Sequence, residues 1–317
     1  MPVTLAEAAN NATDDVDVAV INEFRTNQLL DLLTFDDVVN PAGGGATLTY
    51  GYRRQSTIGT AAFRALNSEY VPSEVTTTKH SIELKVLGGS FQVDRVIAKI
   101  GPAATSAVSL NMSAKIEAAR ATFGDAFING DSTVDDDEFD GLAKMLAGST
   151  TEVTTEVNWQ GAMDETKSFQ IMDDLDTFLR LLDGTPGAII SNALALAKIR
   201  AAVRRTNMYT VSVGPLGETR EAYGNIALID AGKKAGTNED VIPVTAGSTQ
   251  LYAARFGLDG LHGVSTVGGQ LVEQWLPDFT KAGAVKTGEV EMGPVGVVLK
   301  RTKAAGVLTD VQVAPAV

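Results

Sequence analysis

Cysteine is absent from the 317 residues, and histidine occurs twice, at His80 and His262. Without a thiol there is no disulfide framework, thiolate nucleophile or Cys-based zinc site, and folding in a reducing cytoplasm is expected. Basic residues are also short, 26 Lys and Arg against 39 Asp and Glu, for a formal charge of -13. A protein that wraps or reads DNA relies on a cationic surface to displace counterions from phosphates, so that role is disfavoured. A wall that encloses DNA without adhering to it is compatible with the charge. No apolar run approaches the ~20 residues that span a bilayer, and Met1 to Asp17 lacks the basic-then-apolar order of a secretory signal.

What remains is a chain long enough for two domains, or one body with extensions, and able to bury its core without metals or disulfides. Its first 40 residues are acidic around an apolar, helix-like stretch from Val18 to Leu33. Pro41 and Gly43-Gly44-Gly45 then break the pattern as a hinge would, so residues 1–45 are expected to form an arm. Alternation at Leu48, Tyr50 and Tyr52, and again at Ile82, Leu84 and Val86, marks two strands separated by a polar, Thr-rich stretch. A connection that long does not suit a compact domain. It suits a two-stranded finger, which is marginal alone and needs another surface, expected to be another copy of the chain.

After Gly101-Pro102, the spacing of Val108, Met112, Ile116, Ala119, Phe123 and Phe127 predicts a helix over about 106–128, ~35 Å long and stopped by Asn129-Gly130. A helix is expected from about Asp164 to Asp183. A short buried strand should follow at Gly187 to Ser191, then a helix capped by Asn192 that carries Leu196, Ile199 and Val203. Strands are expected at Ile226 to Ile229, Val241 to Val244, Leu251 to Phe256, Val295 to Leu299 and Val307 to Val313. The order lacks a regular βαβ alternation and argues for the α+β class.

Motifs for chemistry fail in turn. Neither histidine has a second ligand at metal-binding spacing, and both are expected as lone surface residues, His262 in a Gly-rich loop. Gly-x-Ser-x-Gly does not occur. Gly43-Gly44-Gly45, Gly214-Pro215-Leu216-Gly217 and Gly232-Lys233-Lys234 do not complete a phosphate or dinucleotide loop and read as turns. Asp136, Glu138, Asp140 and Gly141 match the start of a calcium loop, but position twelve is Ala147 where a Glu is required. The acidic run Asp131 to Asp140 therefore reads as a solvated loop. No catalytic, cofactor-binding or metal residue is assigned, and no enzyme activity or cofactor is expected.

Taken in order, several segments resemble the Hong Kong 97-type major capsid proteins of tailed bacteriophages. Phe127-Ile128-Asn129-Gly130-Asp131 is similar to the end of that family's spine helix. Phe139-Asp140-Gly141-Leu142 resembles the aromatic-x-Gly-Leu stretch that follows it. Pro186 to Asn192, leading into Leu194 to Ile199, resembles the strand-to-helix step of the axial domain. Val285-Lys286-Thr287-Gly288 and the strands to Val313 resemble the closing sheet of the peripheral domain. The resemblance covers about residues 20 to 314.

It implies an N-terminal arm at 1–45, an extended β-hairpin loop at 46–90, a peripheral domain with the spine helix at 91–159 and 276–317, and an axial domain at 160–275. It further implies self-assembly as hexamers and pentamers into an icosahedral head around double-stranded DNA. A portal protein would sit at one vertex, scaffolding and decoration proteins are further candidate partners, and no membrane is involved. The location implied is the virion capsid, assembled in the host bacterial cytoplasm. Some members of the family weld the loop to a neighbour through a Lys–Asn isopeptide bond. Lys79 and Lys85 could serve here, but the last asparagine is Asn238, and no weld is expected. Two other readings stand beside this one: an encapsulin-like nanocompartment shell, and a soluble α+β enzyme without a recognisable site.

Overall fold

The computed structural model describes residues 29–40, 47–99, 107–206, 209–213, 219–268 and 271–315. Most of the expected arm, the Gly43–Gly45 hinge and the glycine turn at 214–217 lie outside the described residues. After one 3-10 turn at Leu29–Leu32 come β1 (Phe35–Val39), β2 (Thr49–Gln55), β3 (Thr77–Glu83) and β4 (Lys85–Asp94). Helix α1 (Ala107–Asn129) and the short α2 (Leu142–Leu146) follow, then β5 (Glu152–Thr154), α3 (Glu165–Leu179), β6 (Ala188–Ser191) and α4 (Ala193–Arg205). The last third runs mainly in strands: β7 (Tyr209–Val213), β8 (Thr219–Tyr223), β9 (Ile226–Asp230), β10 (Ser248–Ala254), β11 (Leu261–Thr266), β12 (Val272–Trp275), β13 (Val285–Leu299) and β14 (Ala305–Gln312).

Two mixed sheets share one core. The larger has the order β5-β14-β10-β6-β9-β8-β7, with β6 and β9 parallel and β10 antiparallel to β6. All four residues of β6 are buried, because both faces of this sheet are covered. Ile189 points to the side packed by Ile171, Leu175 and Phe178 of α3 and Leu196, Ile199 and Val203 of α4. Ala188 and Ile190 point to the side packed by Phe127 and Ile128 of α1 and by Leu142 and Leu146. Asn192 caps α4 as expected, accepting from the Ala195 amide at 2.9 Å, and Asp164 caps α3 through the Lys167 amide at 2.7 Å.

The second sheet runs β1-β11-β13-β12, with β4 on the free flank of β13. One face lies on α1, where Met112 packs with Phe91, Val93 and Val290. The expected stripe on α1 is therefore real, but its burial is uneven. Phe123 and Phe127 are sealed, whereas Val108 and Ile116 are only half-buried. The opposite face of the sheet carries the root of the finger.

Several expectations change on contact with the structure. Val241 to Val244 is not a strand. Val241 and Ile242 are buried in a loop, with Pro243 next in the chain; proline removes a ladder donor, and the Ile242 carbonyl instead accepts from Asn192 Nδ2 at 3.0 Å. The α3 helix stops at Leu179, and Leu181 and Leu182 follow in tight turns on Phe178 and Leu179. The strand expected at Ile82 to Val86 is divided at Leu84: β3 pairs with β2, and β4 with β13. Leu84 is buried while Val86 faces out. His262 is not in a surface loop but inside β11, fully buried.

Candidate assembly surfaces

The finger is a seven-pair antiparallel ladder from Thr49↔Glu83 to Gln55↔Thr77. Its root is fixed to the body by both packing and hydrogen bonds. Tyr50, Tyr52 and Ile82 lie on a buried cluster of Val39, Leu84, Val264 and Val298. Tyr52 Oη donates to the Leu299 carbonyl at 3.2 Å, and Arg54 donates to the Leu299 and Lys300 carbonyls at 2.9 and 3.1 Å. The Lys300 ammonium lies 5.6 Å from the centre of the Tyr50 ring, within cation–π range. His80, opposite Tyr52 in the register, stacks on it at 5.3 Å. It is a packing residue of the root.

Beyond Gln55 the finger leaves the body. Hydroxyl pairs hold its two sides together, Ser56 to Thr78 at 2.6 Å and Thr57 to Thr76 at 3.0 Å, and the chain reverses through Asn67 at φ 65. Ile58, Phe63, Leu66, Tyr70, Val71 and Val75 are all exposed, Phe63 completely. Burying six such side chains is worth roughly 9–18 kcal/mol gross at ~1.5–3 kcal/mol each, before the costs of ordering and association. A concentration of apolar surface on one projecting element marks a contact site.

The junction after α1 shows why two quoted motifs have their glycines. The Gly130 amide donates to the Ala126 carbonyl at 2.9 Å, and the Gly141 amide to the Gly130 carbonyl at 2.8 Å. Neither glycine has a positive φ; the requirement is close backbone approach. Asn129 Nδ2 donates to the Val241 carbonyl at 2.7 Å, tying the helix end to the loop beside the larger sheet. Phe139 packs on Phe123, with ring centres 5.5 Å apart.

Between these glycines, the acidic loop carries its own cation. Lys144 Nζ sits 2.6 Å from Asp131 and 2.8 Å from Asp140. Its hydrogen bond, with support from Thr133, lowers the Asp131 pKa to about 2. The residues that began the calcium-loop pattern thus include one, Asp140, already paired to lysine. Among the described residues, no group of three or more His, Asp and Glu side chains converges to hold a metal ion. No described helix is long and apolar enough to cross a membrane.

The remaining candidates disperse. Lys79 is exposed on β3, whereas Lys85 Nζ is tied to the Asp136 carbonyl and to Glu83. Asn238 is exposed on a separate loop, and Lys233 of the Gly232 turn pairs with Asp240 at 2.6 Å. A groove of about 590 Å³ includes Glu156, Lys167, Asp173 and Asp174. Asp174 serves packing there: its Oδ2 accepts from Thr155 at 2.7 Å and Trp159 at 3.1 Å, while burial raises its pKa.

The chain as a whole superposes on solved capsid structures at low sequence identity. The capsid of Myoviridae phage XM1 superposes with a TM-score of 0.57 at 11% identity, over 97% of this chain and 99% of that one. The capsid of the native GTA particle gives 0.60 at 14% identity, over 94% of each. The chain has the Hong Kong 97-type capsid fold. A chain of the holo-SrpI encapsulin complex from Synechococcus elongatus shares this fold, with a TM-score of 0.68 at 16% identity over 100% of this chain and 99% of that one. No family model matches the sequence, and no curated protein does. In this fold the residue that sequence reasoning missed is Arg54, which anchors the finger, and the one it misplaced is His262 beneath the finger root. Arg54 carried no signal beyond its place in an alternating strand.

Proposed function

We propose that the chain is the major capsid protein of a tailed phage, assembling as hexamers and pentamers into an icosahedral head around double-stranded DNA. The observation that carries this reading is the fingertip, whose six apolar side chains find no cover among the described residues of the subunit. A neighbouring copy supplies that cover in a closed shell, where modest contacts repeat around each symmetry axis. The role is structural and not catalytic. In this reading residues 1–45 are the arm, 46–90 the extended loop, 91–159 and 276–317 the peripheral domain with α1 as its spine, and 160–275 the axial domain. A portal protein occupies one vertex, scaffolding and decoration proteins are further candidate partners, and assembly takes place in the host bacterial cytoplasm.

The full-length likeness to an encapsulin shell keeps one second reading, a compartment around protein cargo. Shells from the native source are expected to retain nuclease-protected genomic DNA. Shells containing protein and no protected DNA would favour the compartment instead. Boiled in denaturant, the same shells should run as a single band near 33 kDa, and a ladder would reveal a covalent weld.

A further inference from the structure

We propose that His262 is an acid-operated latch, and that protonating its ring releases the finger root from the sheet beneath it. His262 is the second residue of β11, with 0% exposure, and neither ring nitrogen makes a well-formed hydrogen bond to a described residue. The register places it beside Val298 of β13, on the face that carries the finger root. Tyr50 of β2 covers it edge-on, with ring centres 6.1 Å apart.

The charged and titratable groups facing it come from each packed element. Lys300, at the end of β13, opposes a second positive charge. Asp36 of β1 and Asp259 before β11 favour one, as does the Gly260 carbonyl, which approaches the ring without full hydrogen-bond geometry. Asp36 is shared with Tyr50, whose Oη lies 3.5 Å from its carboxylate. Burial outweighs these attractions, and with Lys300 it holds the pKa below the usual histidine value.

A charge formed there must be hydrated, and something above or beside the ring must give way. β11 is locked on both sides, by β1 and by β13. The finger root is held by the hydrogen bonds of Tyr52 and Arg54, the long contacts of Tyr50 with Asp36 and Lys300, and one small apolar cluster. The root is the weaker neighbour, so it is the part that lifts. A detached two-stranded hairpin is marginal in water, so its ladder should open as well. The sign follows from linkage. The closed state holds a depressed pKa and the open state the ordinary one near ~6.5, so closure is fully favoured above ~6.5. Opening rises up to ~tenfold per pH unit below that, and levels off beneath the closed-state value.

The latch belongs to the folded subunit and does not depend on shell assembly. Its test is exchange mass spectrometry on the whole chain between pH 7.5 and 4.5. Slow exchange at the histidine C2 position titrates His262 and His80 separately, since they fall in different peptides. Amide protection, corrected for intrinsic rates, reports the finger over 48–55 and 77–84. Protection is expected to fall by up to ~tenfold per unit from about pH 6.5 down to the midpoint at which His262 titrates in the folded chain, to level off below that midpoint, and to stay flat in His262→Gln. Constant protection across the range overturns the latch. So does a fall that does not level off at the His262 midpoint, or one that persists in the glutamine variant. The match between the wild-type plateau and the His262 midpoint decides the matter even if the variant folds poorly.

Discussion

Gly141→Ala is expected to cost at least ~3 kcal/mol, a large share of the ~5–15 kcal/mol that holds a typical native domain. A Cβ on Gly141 would stand 2.5 Å from the Ala126 carbonyl oxygen, and 2.7 Å from both the Gly130 nitrogen and the Ile128 carbonyl oxygen. All three belong to the last turn of α1 and its exit, which is anchored by fully buried Phe127 and Ile128. A flexible side chain could swing aside, but these backbone atoms cannot move without unseating the helix. The Gly141 amide bond to Gly130 would be lost with the same displacement. Gly51→Ala is the control, because its nearest neighbour is the mobile Lys79 side chain at 3.7 Å. Urea unfolding should show the control within ~0.5 kcal/mol of wild type and Gly141→Ala destabilised by ~3 kcal/mol or more.

The double substitution Phe63→Ser with Leu66→Ser should separate folding from assembly. Both side chains are almost wholly exposed in the subunit, so their removal should shift the urea midpoint by less than ~0.5 kcal/mol equivalent. On a neighbour the same two groups would contribute roughly 3–6 kcal/mol per finger. Repeated around a capsomer, a deficit of that size is decisive. The variant is expected to elute as folded small species where the wild type gives large particles. Large particles in normal yield from the double variant would show that the tip has another purpose.

How much of this was legible in the sequence varied with the physics of each element. α1 announced itself because Met112, Phe123 and Phe127 keep one helical face against two sheets. β6 and α4 were readable from an unbroken apolar run followed by the capping Asn192. The finger was visible by default, since its Thr-rich middle could not serve a core. Its true extent was hidden, because Thr77, Thr78 and Lys79 pair in a ladder exposed on both faces and carry no apolar alternation. From its residue pattern β13 was seen only at Val295 to Leu299, and only the family resemblance reached its start at Val285 to Gly288. Its first half alternates Lys and Glu with Val and Met along a sheet face that is partly covered. His262 was misplaced for a related reason: Leu-His-Gly-Val-Ser-Thr reads as a loop, and only the register with β13 shows that the ring is roofed by Tyr50. The glycines at 130 and 141 were noticed as motifs, but their reason is a contact between residues eleven apart that no local pattern encodes.

Assembly of the intact chain tests the central claim most directly. Concentrated protein should be examined by size-exclusion chromatography and negative-stain microscopy across a range of salt and crowding conditions. Capsomers or closed shells of many subunits are the predicted result. Protein that remains at one to a few subunits under every condition would contradict a shell-building role, and would return the chain to the enzyme reading.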